Sequence, residues 1–218
     1  MNEAHPRRGQ RRLAFFGRIG ADISHEMRNV LSVIGEYAGL LDDLLVLAET
    51  GRPLDHARLK TLTKNLAAQV KKGTETTERF NRFSHTAEEQ TASFDLIAVV
   101  EDVAALVQRH VRLEGHRLEV ELPNREIRVT NNAFDLQYAV FAAVGILLKC
   151  LEKDEPVAVK VDAEGSTAAL SISGRAAAGD EPGGRTSRLV AVMNELGGTV
   201  NTSWNDGTLS LVLAVPTD

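Results

Sequence analysis

From Phe16 onward the apolar residues fall at Phe16, Ile19, Ile23, Met27, Val30, Ile34, Tyr37, Leu41, Leu44 and Ala48. Steps of three and four place them on one stripe of a single long helix, expected over about Arg11–Glu49. Gly51-Arg-Pro53 ends it, the glycine as a C-terminal stop and the proline as a restart. A second helix carries Leu59, Leu62, Leu66 and Val70, then Phe80 and Phe83 after a polar middle. Two helices of about 35 residues, roughly 50 Å each, joined by a short turn predict an antiparallel hairpin. Such a hairpin cannot bury both sides of its seams alone. A homodimer in which two hairpins build a four-helix bundle satisfies it; a monomer with the hairpin folded over the rest of the chain is the alternative.

Thr86–Ser93 is polar and acidic and reads as a linker. Beyond it the period changes. Phe94–Val107 is helical, with Asp95 favouring its N-terminus, and Arg117–Leu122 alternates as a strand, followed by a shorter strand at Ile127–Val129. Phe134–Leu151 is an apolar helix, Val157–Val161 and Ala168–Ser173 are strands, and Ser187–Leu196 is a helix closed by Gly197-Gly198. Thr199–Trp204 and Thr208–Val215 pair across Asn205-Asp206-Gly207, a hairpin-turn signal. The order α-β-β-α-β-β-α-β-β predicts an α+β sandwich with helices on one face of a mixed sheet. The expected organisation is a basic lead-in over 1–10, the helical hairpin over 11–88, and the α+β domain over 94–218.

The 218 residues suit one large domain or two modest ones, and 43% hydrophobic with 25% charged residues is ordinary for a globular protein. A net charge of −5 gives no reason to expect nucleic acid. Arg7, Arg8, Arg11, Arg12 and Arg18 nevertheless face a single early carboxylate, Glu3. Three readings of this lead-in are open: a frayed helix start, a solubility feature, or an electrostatic contact for an acidic partner. Cys150 is the lone cysteine, which excludes an intrachain disulfide and suits a reducing cytoplasm. No apolar run reaches the length of a membrane span, and no signal-peptide pattern opens the chain.

The candidate chemistry lies on the first helix. His25 is two residues from Ile23, about 200° around the helix, so it points away from the seam into water. A partly deprotonated imidazole is a fair nucleophile near neutral pH, and Glu26 is its neighbour. An exposed histidine of this kind suits accepting a phosphoryl group. Asn29 lies one turn beyond on the same face. Glu26 is read either as a group that accepts the other ring proton and holds the tautomer, or as a solvated helix carboxylate. Arg28 is read as a phosphate contact or as a solvated side chain. His5, His56, His85, His110 and His116 show no metal spacing and read as surface or boundary residues; Trp204 and Tyr138 read as core.

Ser24-His25-Glu26-Met27-Arg28-Asn29 resembles the H box of bacterial sensor histidine kinases, with Val30 where that family usually has proline. Arg79–Ser84 resembles the end of the family's second bundle helix, and Leu189–Val200 with Asn205–Pro216 resembles the last third of its ATPase domain. The resemblance spans about residues 14–216. It implies a dimerisation and phosphotransfer hairpin followed by a degenerate ATPase-like domain. The two asparagine positions of the family's nucleotide-binding helix fall on Phe141 and Gly145, leaving no oxygen ligand for magnesium. The adenine-binding aspartate is replaced by Ser173 or Gly174, and the glycine-rich stretch survives as Pro182-Gly-Gly-Arg-Thr186, which retains an anion nest as an option.

The resemblance therefore implies a histidine phosphotransferase of a bacterial phosphorelay. It would pass a phosphoryl group between His25 and the aspartate of a response-regulator receiver domain, without ATP-dependent autophosphorylation. The site residues would be His25 as phosphoacceptor, Glu26 as base or tautomer holder, and Asn29 as the group orienting water or phosphate. No cofactor or metal is expected on this chain, magnesium being supplied by the receiver. Partners would be that receiver, a sensor histidine kinase and a second copy of the chain. A phosphatase or inhibitory binder of a receiver or kinase is the alternative, and a divergent working kinase stays open beside it.

Overall fold

The computed structural model describes residues 4–88, 90–177 and 182–218, with side chains described from Arg8 onward. Met1–Glu3 of the lead-in, Glu89 of the linker, and the His5 and Arg7 side chains lie outside the described residues. Two compact units result: residues 18–82, and residues 1–17 together with 83–218.

The first unit contains most of α1 (Ala4–Glu49) and of α2 (His56–Thr86). Ile19 and Val30 are 1% and 2% exposed, and Ile23, Met27, Ile34, Tyr37 and Leu41 are half-buried, so the expected seam is present. At its end, Gly51 takes φ +87°. Its N–H donates to the Ala48 carbonyl and that of Arg52 to Leu47, the paired closure that satisfies the last free carbonyls of a helix. Asp55 then opens α2, its Oδ1 accepting from Arg58 N at 3.0 Å. The helices run antiparallel: Gly20 lies against Phe80, and Met27 against Gly73 and Thr77. Gly73 allows the close approach. A Cβ there would stand 3.2 Å from Val30 Cγ1.

The second unit has the expected α+β order with one additional strand. Its elements are β1 (Ala92–Asp95), α3 (Leu96–Leu113), β2 (Arg117–Glu121), β3 (Arg128–Asn131), α4 (Ala133–Leu147), β4 (Pro156–Glu164), β5 (Thr167–Arg175), a short 3₁₀ turn (Gly183–Thr186), α5 (Ser187–Glu195), β6 (Thr199–Asn205) and β7 (Thr208–Pro216). The main sheet runs β2-β4-β5-β7-β6, with β2 and β4 parallel and the other neighbours antiparallel. Alternate residues of β4, β5 and β7 are buried, so one face of the sheet carries the core. Asp206 and Gly207 have φ +48° and +77°, the two left-handed residues that a two-residue hairpin with matching twist requires.

Several expectations are corrected. The end of the supposed linker is β1, antiparallel to β3, and Asp95 closes it by accepting from both Ile97 N and Ile127 N. The first helix begins at Ala4, not near Arg11. His116 is buried at 8% exposure, its Nδ1 2.9 Å from the Glu155 carbonyl. Trp204 is exposed at 38% because β6 is an edge strand.

Candidate functional site

The chain brings its candidate residues together in two places, one in each unit. On α1, His25 and Asn29 are exposed, one helical turn apart, and Arg28 is exposed beside them. Ser24 Oγ donates to the Gly20 carbonyl at 2.8 Å, so this hydroxyl is bonded to its own helix. Glu26 departs from a free-carboxylate reading. Its side chain is 16% exposed and Oε1 stands 2.5 Å from Lys72 Nζ on α2. The carboxylate beside His25 is thus shared across the helix pair. Lys72 had no part in the sequence reading, because the partner of an α1 residue depends on the register of α2, which periodicity does not supply.

The second place is the face of α4 that carries Tyr138, Phe141 and Gly145. Asn132 caps this helix, its Oδ1 accepting from Asp135 N at 2.8 Å. Arg8, Arg11, Arg12 and Phe15 of α1 reach α4. Phe15, 2% exposed, has ring centroids at 5.2 Å from Phe134, 5.5 Å from Tyr138, 5.1 Å from Phe141 and 5.4 Å from Phe83. Beside it, Asp135 is fully buried and receives three guanidiniums: Arg8 Nη2 at 2.5 Å, Arg12 Nη1 at 3.2 Å and Arg11 Nη2 at 3.7 Å. Arg11 also reaches Glu195 at 3.0 Å, and Arg12 donates to the Ala87 carbonyl at 3.0 Å. The same two arginines lie over aromatic rings, Arg11 over Tyr138 at 5.2 Å and Arg12 over Phe134 at 4.6 Å. Thr86 at the end of α2 donates to Gln137 Oε1 at 2.9 Å.

This arrangement corrects the open readings of the basic lead-in. Arg8, Arg11 and Arg12 are helical and their acidic partners, Asp135 and Glu195, belong to the same chain, while Arg18 pairs with Asp22 one turn along its own helix. A signal was present in the sequence: Arg8, Arg11, Arg12 and Phe15 recur at i, i+3, i+4 and i+7, one face of a helix.

The two α4 positions at which the resemblance implies asparagine carry Phe141 and Gly145. Phe141 lies under Phe15, and Gly145 offers no side chain. At the end of β5, Gly174 serves packing. A Cβ there would lie 2.6 Å from Leu151 Cδ2 and 2.8 Å from the Pro156 carbonyl oxygen. Gly183 and Gly184 stand in the short turn before α5. A polar cleft of about 510 Å³ opens at the N-terminal end of α4, lined by Arg8, Arg12, Gln90, Asn131, Asn132 and Glu195 among others. Its two guanidiniums are engaged by Asp135, which occupies their charge. Among the described residues no group of three or more His, Cys, Asp or Glu is placed to hold a metal ion, and no helix is long and apolar enough to cross a membrane.

No family model matches the chain, and no curated protein sequence does. Solved structures do. Histidine kinase ThkA in complex with response regulator protein TrrA aligns over 100% of this chain and 68% of its own, with TM-score 0.52 and 15% identity. The catalytic domain of the same kinase aligns over 59% of this chain and 96% of its own, with TM-score 0.51 and 12% identity. Acinetobacter baumannii histidine kinase AdeS covers 89% of this chain and 98% of its own, with TM-score 0.50 and 15% identity. The chain has a histidine kinase-like fold, its α+β unit corresponding to the catalytic domain of those enzymes.

Proposed function

We propose that the chain is a histidine phosphotransferase of two-component signalling, exchanging a phosphoryl group between His25 and the aspartate of a response-regulator receiver domain. The observation that carries this reading is the exposed imidazole of His25 on the outer face of α1. Transfer of this kind asks little of the histidine protein. A neutral ring nitrogen must meet the phosphoryl group in line, with the receiver supplying magnesium and positive charge. Asn29 would orient phosphate or water one turn away, and Glu26 would hold the ring tautomer. The fold neighbour ThkA, captured with a response regulator, supports a receiver as the partner.

The α+β unit would act in folding and partner contact, not in nucleotide chemistry. Phe141 and Gly145 on α4, with Phe15 packed on that face, support a degenerate ATPase-like domain. A homodimer with a four-helix bundle is part of the proposal. It is supported by apolar positions left exposed at heptad spacing, Leu31 and Leu45 on α1 at 61% and 53%, with Val70 on α2 at 49%. The protein would work in the cytoplasm, where its receiver resides.

Mixing the chain with a receiver carrying labelled phosphate should place label on His25, and His25→Ala should abolish it. Incubation with labelled ATP should leave the chain unlabelled; rapid ATP-dependent labelling would overturn the phosphotransferase reading in favour of a kinase. The exposure of Asn29 favours a second reading, a receiver phosphatase. Loss of receiver phosphate that survives His25→Ala and is lost with Asn29→Ala would establish it.

A further inference from the structure

We propose that Lys72 is a positioning residue for phosphoryl exchange at His25, acting through Glu26; this rests on the phosphotransferase reading. Glu26 follows His25 directly in the chain, so its carboxylate is the nearest fixed negative charge in sequence to the reacting imidazole. Lys72 Nζ stands 2.5 Å from Glu26 Oε1, and the carboxylate is largely withdrawn from water while the ammonium is half exposed. The pair is held in register by the adjacent residue. Gly73 lets α2 approach α1 until Val30 and Met27 fill the space where a side chain would begin. Lys72 is thereby fixed on the turn of α2 that faces Glu26.

The chemistry explains what this pairing does. When a receiver donates, the lone pair of a His25 ring nitrogen attacks phosphorus and an N–P bond forms. The acyl-phosphate P–O bond breaks with its electron pair remaining on the receiver's aspartate, and the proton on the other ring nitrogen passes to solvent or to a carboxylate. The arriving phosphoryl oxygens are anionic, so an uncompensated carboxylate next to the nucleophile opposes their approach. Lys72 offsets that charge and draws the Glu26 carboxylate toward α2. As an ion pair between helices with one partner half exposed, it contributes little to stability. Its effect belongs in the rate.

The test uses the full chain and a receiver carrying labelled phosphate, with transfer to His25 followed by rapid quench. Lys72→Met should slow transfer about tenfold, the effect expected of removing one positive charge near the reacting groups. Lys72→Arg should retain most of the rate. In a Glu26→Gln background, Lys72→Met should add no further loss, because nothing remains for it to orient or neutralise. Thermal midpoints should stay within a degree or two of the wild-type value. A wild-type rate in Lys72→Met, or a loss that simply adds to that of Glu26→Gln, overturns this inference alone. Failure of the unaltered chain to accept label at His25 overturns the phosphotransferase reading, and the role of Lys72 with it.

Discussion

Replacing Phe15 by alanine should detach the N-terminal segment of α1 from α4 while leaving most of the sheet folded. Phe15 is 2% exposed and makes ring contacts with Phe83, Phe134, Tyr138 and Phe141 at centroid distances of 5.1–5.5 Å. Truncating a buried phenylalanine costs about 3–5 kcal/mol in lost transfer energy and cavity. The edge-on and tilted ring pairs place Phe15→Ala toward the upper half of that range, about 4 kcal/mol. That is a large share of the net stability of a domain. The segment has other holds, the three arginines on Asp135, so opening is expected to be local. Hydrogen exchange read by mass spectrometry should show protection across residues 8–16 and along α4 falling by two to three orders of magnitude, since each factor of ten corresponds to about 1.4 kcal/mol. Urea unfolding followed by far-UV dichroism should show a smaller loss, limited to the free energy with which the segment docks. Unchanged exchange in both segments, with a stability loss below about 1 kcal/mol, would refute the assignment of Phe15 as the anchor.

Three further outcomes are expected. Asp135→Ala leaves three guanidiniums converging on an empty site and should cost about 3–5 kcal/mol, seen as a lowered thermal midpoint. Gly174→Ala should destabilise by about 1–3 kcal/mol, because the new methyl meets the Pro156 carbonyl, a backbone atom that cannot swing aside. Gly145→Ala on α4 should instead raise stability by up to about 1 kcal/mol in the same urea assay, since the space beside it is open and alanine favours the helix.

Features set by local chemistry could be read in the sequence. The Gly51 stop and the Asp206-Gly207 turn follow from which residues tolerate left-handed backbone, and both occur where expected. The outward placement of His25 followed from counting positions around one helix. What could not be read depends on pairings between distant residues. β1 has four residues, and only pairing with β3 far along the chain makes Ala92–Asp95 a strand. The arginine face of α1 was visible as a pattern, but its partner Asp135 lies in a helix whose apolar character gave no hint of a receiving carboxylate. Trp204 was expected in the core because alternation marks a strand without saying whether it lies at an edge.

The unit built from residues 1–17 and 83–218 is discontinuous along the chain, and this bears on how it comes into being. Arg8 and Asp135 are 127 positions apart, so at a synthesis rate of about 5–20 residues per second the arginine waits roughly 6–25 s for its carboxylate. Helices form and packed pairs collapse in far less time, so residues 18–82 can pair before α4 exists. Through that interval the three arginines lack Asp135, and of its four ring partners Phe15 has only Phe83. The N-terminal part of α1 completes its packing only once α4 has been made.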